Sequence, residues 1–325
     1  MALGLVGGLA WGGDSVSFGE PPQDNLVGHW DFSDVTQMYE ERTSYTTQVS
    51  SDGDPIGRCK NKAPATALML GSFVRAVGDS NRPLFYTGGA NGNTYAKFDN
   101  SSNTQGLVCR STGSSYGALA TDQLSGTVLK AEDLSIFIVG EPLDDDNDGT
   151  LENVFSYFGY YNDPSGFSDS DTVAFTFQRE DDEDMRAVWN IGGGAVSPNN
   201  VTAAEADNHW NSGDVSVINV QTSIDVGGSY VYTNNLPDVG QSVFHPGSGV
   251  FAQNNWCDFA PTSYDDSLTA SIGVGGRVSA SGTIDSNSFE GKIYEILVYK
   301  EALGAIDRVL LTYYLGYKYG ANITT

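Results

Sequence analysis

The chain has 325 residues, 39% of them hydrophobic and 18% charged, which is enough apolar material for a packed core and too little charge for a disordered chain. It carries 41 acidic against 16 basic side chains, a formal net charge of −25, so a nucleic acid duplex or an anionic membrane surface repels it. Three scattered cysteines, Cys59, Cys109 and Cys257, without a Cys-x-x-Cys pair, indicate neither a disulfide framework nor a zinc site, and no stretch reaches the roughly 18 apolar residues that suggest a membrane span.

Residues 1–25 read as an N-terminal arm. Met1 to Gly13 is apolar and small, like the middle of a signal peptide, but it lacks the basic start such a peptide needs. An apolar arm of this kind is expected to dock onto its own domain or a neighbouring subunit. Residues 26–325 read as one β-sandwich domain. Leu26-Val-Gly-His-Trp-Asp-Phe32 alternates with period 2, placing Leu26, Gly28, Trp30 and Phe32 on one face. Residues 33–76 are polar and irregular, with little strand pattern. Short strands at Asn81–Tyr86 and Tyr95–Asp99 flank the turn Gly88-Gly-Ala-Asn-Gly92.

From Leu134 the β signal is dense. Leu134–Val139 is a continuous apolar run suited to a central strand, and Val154–Phe158 follows an acidic loop. Thr172–Phe177 and Met185–Ile191 read as a hairpin around the charged tip Glu180–Asp184. Val215–Gln221, Ser229–Thr233 and Leu268–Gly273 are further strands. Phe289-Glu-Gly-Lys-Ile-Tyr-Glu-Ile-Leu-Val-Tyr299 closes the set. One helix is expected over Ala302–Tyr317, where Leu303, Ile306, Val309, Leu310, Tyr313, Tyr314 and Tyr317 fall at helical spacing, with Gly320 as the stop.

The opening Leu26–Ser33, the segment Ser51–Ala63 leading to Arg82-Pro-Leu-Phe85 and Ala96–Ser101, the strand Leu134–Glu141 and the closing strand and helix through Tyr314-Leu-Gly-Tyr-Lys-Tyr-Gly320 together resemble a concanavalin A-like, laminin-G-type jelly roll. The resemblance covers roughly residues 26–320. It departs at Cys59, where such domains commonly carry a Trp. It implies an all-β, two-sheet antiparallel sandwich with one short C-terminal helix. Lectins, glycan-binding modules, some glycosidases and phage tail or capsid domains share that fold, so it implies a scaffold more than an activity.

Several residues carry candidate chemistry. Asp144, Asp146 and Asp148 stand at alternate positions before Gly149, as in the front half of a calcium loop. The twelfth position is Phe155 rather than Glu, so the loop is not an EF-hand; it is a calcium site of another kind or a solvated hairpin tip. No other cofactor is expected. Trp210, Trp256 and Tyr264 lie among Asn and Asp, where rings stack on sugars and amides bond hydroxyls, or else anchor loops to the sandwich. Glu290 and Glu295 are the nearest approach to a glycosidase pair. Five residues apart on a regular strand they face opposite ways, Glu290 as a turn residue and Glu295 as an exposed strand position. His29, His209 and His245 read as isolated surface or packing residues.

These features lead to the expectation of a non-enzymatic virion structural protein, a phage capsid decoration or tail-associated, host-attachment protein. Its arm, residues 1–24, would bind other virion proteins within a larger assembly, and its sandwich would meet a host surface glycan. The alternative is a secreted or cell-surface glycan-binding module, and behind it a glycoside hydrolase or lyase.

Overall fold

The computed structural model describes residues 21–64, 73–99, 105–110, 133–143, 151–160, 172–180, 185–192, 199–206, 210–223, 228–234, 236–237, 271–278, 284 and 288–323. In chain order its strands are β1 (Leu26–Asp31), β2 (Met38–Tyr39), β3 (Arg58–Lys60), β4 (Phe73–Ala76), β5 (Leu84–Tyr86), β6 (Tyr95–Phe98), β7 (Leu107–Arg110) and β8 (Asp133–Pro142). They continue with β9 (Leu151–Tyr160), β10 (Thr172–Glu180), β11 (Met185–Gly192), β12 (Asn199–Ala206), β13 (Ser216–Ser223), β14 (Gly228–Thr233), β15 (Leu236–Pro237), β16 (Ser271–Val274) and β17 (Gly291–Tyr299). The helix α1 spans Ala305–Tyr319.

The strands form two antiparallel sheets. One runs β15-β14-β13-β8-β17-β6-β5, with β1 also on β17; the other runs β12-β11-β10-β9-β16-β7-β4-β3-β2. The all-β sandwich with one C-terminal helix is the architecture the sequence pattern predicts. The expected hairpin forms, pairing Thr172 with Gly192 and Arg179 with Met185. Strands β2, β3 and β4 are additions in a stretch that lacks alternation: they are two to four residues long and buried nearly throughout, so no polar face marks them.

The core between the sheets takes Trp30, Phe32, Phe85, Phe98, Ile136, Ile138, Phe155, Ile293, Ile296 and Val298, all essentially inaccessible. A second cluster lies on the outer side of the first sheet. There α1 lays Leu311, Leu315 and Tyr319 against Phe137, Val139, Leu297 and Tyr299. The helix starts and ends slightly later than predicted, and Gly320 closes it in the left-handed region at φ 70°, where Gly costs least.

Two irregularities decide which residues face α1. The β17–β8 register shifts between Ile293 and Glu295, so Tyr294 is an extra residue. Ile293 and Ile296 point into the sandwich, while Tyr294, Leu297 and Tyr299 lie on the helix side. The β1–β17 register shifts between Leu26 and Gly28. Val27 consequently joins Trp30 in the sandwich core and Leu26 turns to the helix side, which corrects the single face predicted for Leu26 and Trp30.

Candidate functional site

The outer face of the first sheet carries two adjoining clusters, one sealed beneath α1 and one at its side. The sealed cluster begins with β1. His29 and Asp31 alternate with the core residue Trp30, and both are buried. Across the strand pair Asp31 is opposite Glu295. His29 Nε2 hydrogen-bonds Glu295 Oε1 at 2.6 Å. Lys318, in the last turn of α1, donates to Glu295 Oε2 at 2.7 Å and to Asp31 Oδ2 at 3.1 Å. The Tyr319 hydroxyl donates to Glu295 Oε2 at 2.7 Å, and Lys62 donates to Asp31 Oδ2 at 3.1 Å.

The electrostatics follow from this geometry. Burial alone would raise the Asp31 pKa, but the Lys318 ammonium, the Ser33 hydroxyl and Lys62 outweigh it and hold it at about 2. Burial would likewise lower Lys318, and the charges of Glu295 and Asp31 outweigh it and raise its pKa. Burial, then Glu295 and Asp31, push the Tyr319 phenol up. Ligand atoms of His29, Asp31 and Glu295 all lie within 4.8 Å of one another, a set of metal-binding chemistry. The Lys318 ammonium already bonds two of these carboxylates, so the chain's own cation takes the role a metal would have there.

Beside this cluster the sheet is not sealed by α1. On β5 and β6, Phe85, Ala96 and Phe98 point into the core, which turns Leu84, Tyr86, Tyr95 and Lys97 outward. Strand register aligns them in two rows. Tyr86 is opposite Tyr95, with rings stacked at 5.7 Å and 17°. The Tyr294 ring, displaced by the β17 bulge, adds to that row 5.6 Å from Tyr95. In the next row Leu84 pairs with Lys97, Lys97 with Lys292, and Lys292 with Glu141. Lys292 Nζ donates to Glu141 Oε1 at 2.6 Å and lies 5.3 Å from the centre of the Tyr95 ring. The Tyr294 hydroxyl donates to Glu141 Oε2 at 3.0 Å and accepts from the Ala90 N–H at 3.1 Å.

The turn over residues 87–93 fixes the edge of this platform. Asp52 Oδ1 accepts from the Thr87 N–H and hydroxyl at 2.6 and 2.8 Å. Asn91 and Asn93 donate from Nδ2 to the Lys318 carbonyl at 3.1 and 2.9 Å, capping the end of α1. Tyr86, Tyr95, Lys97 and Lys292 are half-buried, so their packed sides are held while an edge meets solvent. Burial, then Glu141, raise the Tyr95 phenol pKa, leaving a neutral ring at physiological pH. A row of rings beside a row of charged and hydroxyl groups offers both stacking and hydrogen bonding to one ligand.

The residues singled out in the sequence fare differently. Trp210 is fully buried: its ring stacks on Phe289 at 5.5 Å, lies 6.2 Å from Phe177, and its N–H donates to the Gly140 carbonyl at 3.4 Å. Its ring is occupied by the core, which corrects the stacking role expected for it. Asp144, Asp146, Asp148, Trp256, Tyr264, His209 and His245 lie outside the described residues. Glu295 is buried rather than exposed: the extra residue at Tyr294 sets it on the outer face of the sheet, and α1 covers it there. His29 is not isolated but bonded to Glu295. Glu290 precedes β17, its N–H donating to Glu152 Oε1 at 2.7 Å. The platform residues were missed, although the outward positions of Leu84-Phe-Tyr86 and Tyr95-Ala-Lys97 are written in their alternation.

No protein-family model matches the chain, and no curated protein does. Among solved structures it is similar to Trypanosoma rangeli sialidase in complex with 2,3-difluoro-KDN, at 12% identity and a TM-score of 0.45, covering 98% of this chain and 36% of that one. It is also similar to Ruminococcus gnavus IT-sialidase CBM40 bound to α2,3-sialyllactose, at 11% identity and a TM-score of 0.34, covering 56% of this chain and 82% of that one. The chain thus spans about a third of the length of the sialidase. No residue role passes to this chain from either. The expectation of a non-enzymatic chain is corrected here: the sialidases among the similar structures are enzymes, and the chain is not classed as lacking catalysis.

Proposed function

We propose that this chain is a glycan-binding β-sandwich and that the platform of Tyr86, Tyr95, Lys97, Lys292 and Glu141 is where it holds saccharide. The observation that supports this reading is the juxtaposition of the stacked Tyr86–Tyr95 pair with the aligned charged row on one sheet face. Sugar C–H faces pack on aromatic rings, and hydroxyls accept from ammonium groups and donate to carboxylates a strand spacing away. A carbohydrate-binding module of Ruminococcus gnavus bound to α2,3-sialyllactose is among the structures similar to this chain.

A virion setting has no support among the described residues, because residues 1–20 of the arm on which it depends lie outside them. The proposal is therefore the module itself. A glycan array probed with the whole chain and with Tyr86→Ala tests it. Binding to one group of glycans that is lost in the variant supports the reading; binding that Tyr86→Ala leaves unchanged, or none at all, overturns it.

A further inference from the structure

The charged row of the platform does not balance. Both oxygens of Glu141 are taken, Oε1 by Lys292 and Oε2 by the Tyr294 hydroxyl. Lys292 in turn is committed to Glu141 and to the face of Tyr95. Lys97 is directly opposite Lys292 across the β6–β17 pair and makes no ion pair among the described residues. Like charges facing each other across two strands destabilise a sheet. Here the surplus cation stands in a chain with only 16 basic side chains and a net charge of −25, where carboxylates to neutralise it are abundant.

We infer that Lys97 is the anion-recognising residue of the platform, and that the saccharide it takes carries a carboxylate. This rests on the glycan-binding reading above and specifies its ligand. Tyr95 and Lys97 are two residues apart on one strand, so their side chains rise about 7 Å apart from the same face, the scale of one pyranose ring. A sugar lying over the Tyr86–Tyr95 pair would bring a carboxylate substituent toward Lys97, whose ammonium donates a charge-assisted hydrogen bond to it. The carboxylate then sits between Lys97 and Lys292 and relieves their opposition. The chain's overall negative charge works against long polyanions, so the fitting ligand bears one acidic group at the platform rather than a run of them.

The test uses methyl β-D-glucuronide and α2,3-sialyllactose, each with a single carboxylate and each titrated against its own methyl ester, with the whole chain and with the variants Lys97→Met and Tyr86→Ala. Lys97→Met keeps the aliphatic stem and removes a like-charge opposition, so its melting temperature is expected to equal or exceed that of the parent chain. The inference predicts that at least one acid binds on the order of tenfold or more tightly than its ester, as a charge-assisted hydrogen bond implies, and that Lys97→Met erases this preference. Equal binding of acid and ester, or a preference that survives in Lys97→Met, overturns it. Saturation of the same site by acetate alone, at the concentration where the acid sugar saturates, also overturns it, since the spot would then be a general anion contact. Failure of both acids alongside Tyr86-dependent binding of neutral oligosaccharides overturns the acidic ligand and leaves the glycan-binding reading intact; absence of Tyr86-dependent binding to any of these sugars fells that reading as well.

Discussion

Lys318 and Glu295 tie the helix to the sheet: the ammonium at the end of α1 lies 2.7 Å from a carboxylate at the middle of β17 whose side chain is 1% exposed. The same ammonium reaches Asp31 on β1, so one cation stands between two carboxylates that face each other across a strand pair. Replacing it with Met leaves two buried negative charges without their main counter-ion. Because Lys318 is itself partly exposed, the loss is expected below the 3–5 kcal/mol of a fully buried pair, at about 2 kcal/mol. A lower denaturant midpoint for Lys318→Met, partly restored by adding Glu295→Gln, is the expected result. Additive effects of the two substitutions would contradict the coupling.

Acid should release this cluster. The Asp31 pKa is held at about 2, below its ordinary 3.8, so its contribution is present above pH 3.8 and is lost as pH falls from there toward 2. The shift corresponds to about 2 kcal/mol. Unfolding free energies measured across that window should fall more steeply in the parent chain than in Asp31→Asn. Equal slopes would show that Asp31 is not the group responsible.

Trp210 belongs to the core, and the expected consequence is a separation of effects. Trp210→Ala removes a ring packed between Phe289 and Phe177 and should cost about 3–5 kcal/mol. The milder Trp210→Phe should lower the melting temperature while leaving glycan affinity unchanged. A loss of affinity without loss of stability would restore Trp210 as a sugar contact.

The long alternating and apolar runs were legible: β8, β10, β11, β13 and α1 follow the periodicity of their residues closely. The short strands β2 to β4 were not, because fully buried two- to four-residue segments show no alternation. The sites were harder still. Trp210 sits in a polar stretch that suggests exposure, yet the core claims its ring. Glu295 reads as exposed by counting along the strand; it does lie on the outer face of the sheet, but Lys318 and Tyr319, at the end of a helix the count does not place, cover it there. The platform is made by register between β5, β6, β17 and β8, which sequence order does not reveal, since Tyr95 and Tyr294 are nearly two hundred residues apart.

The turn beside the platform should be intolerant of a side chain. A Cβ at Gly89 would meet Tyr95 Cδ1 at 2.6 Å, Tyr294 Cε1 at 2.8 Å and the Asn93 carbonyl at 3.0 Å. Gly89→Ala is expected to displace both rings, costing about 1–3 kcal/mol as an overpacked contact does. Weaker glycan binding in a variant that remains folded would locate the ligand at these rings; unchanged binding would remove it from them.

The most direct test of the account follows the tyrosine rings themselves. With ring-labelled tyrosine, titration of a glycan that the chain binds should shift the Tyr86 and Tyr95 ring resonances first, with Tyr294 following. Tyr39 and Tyr299, buried elsewhere, should stay in place. Saturable binding that leaves Tyr86 and Tyr95 unmoved would contradict the platform as the saccharide site.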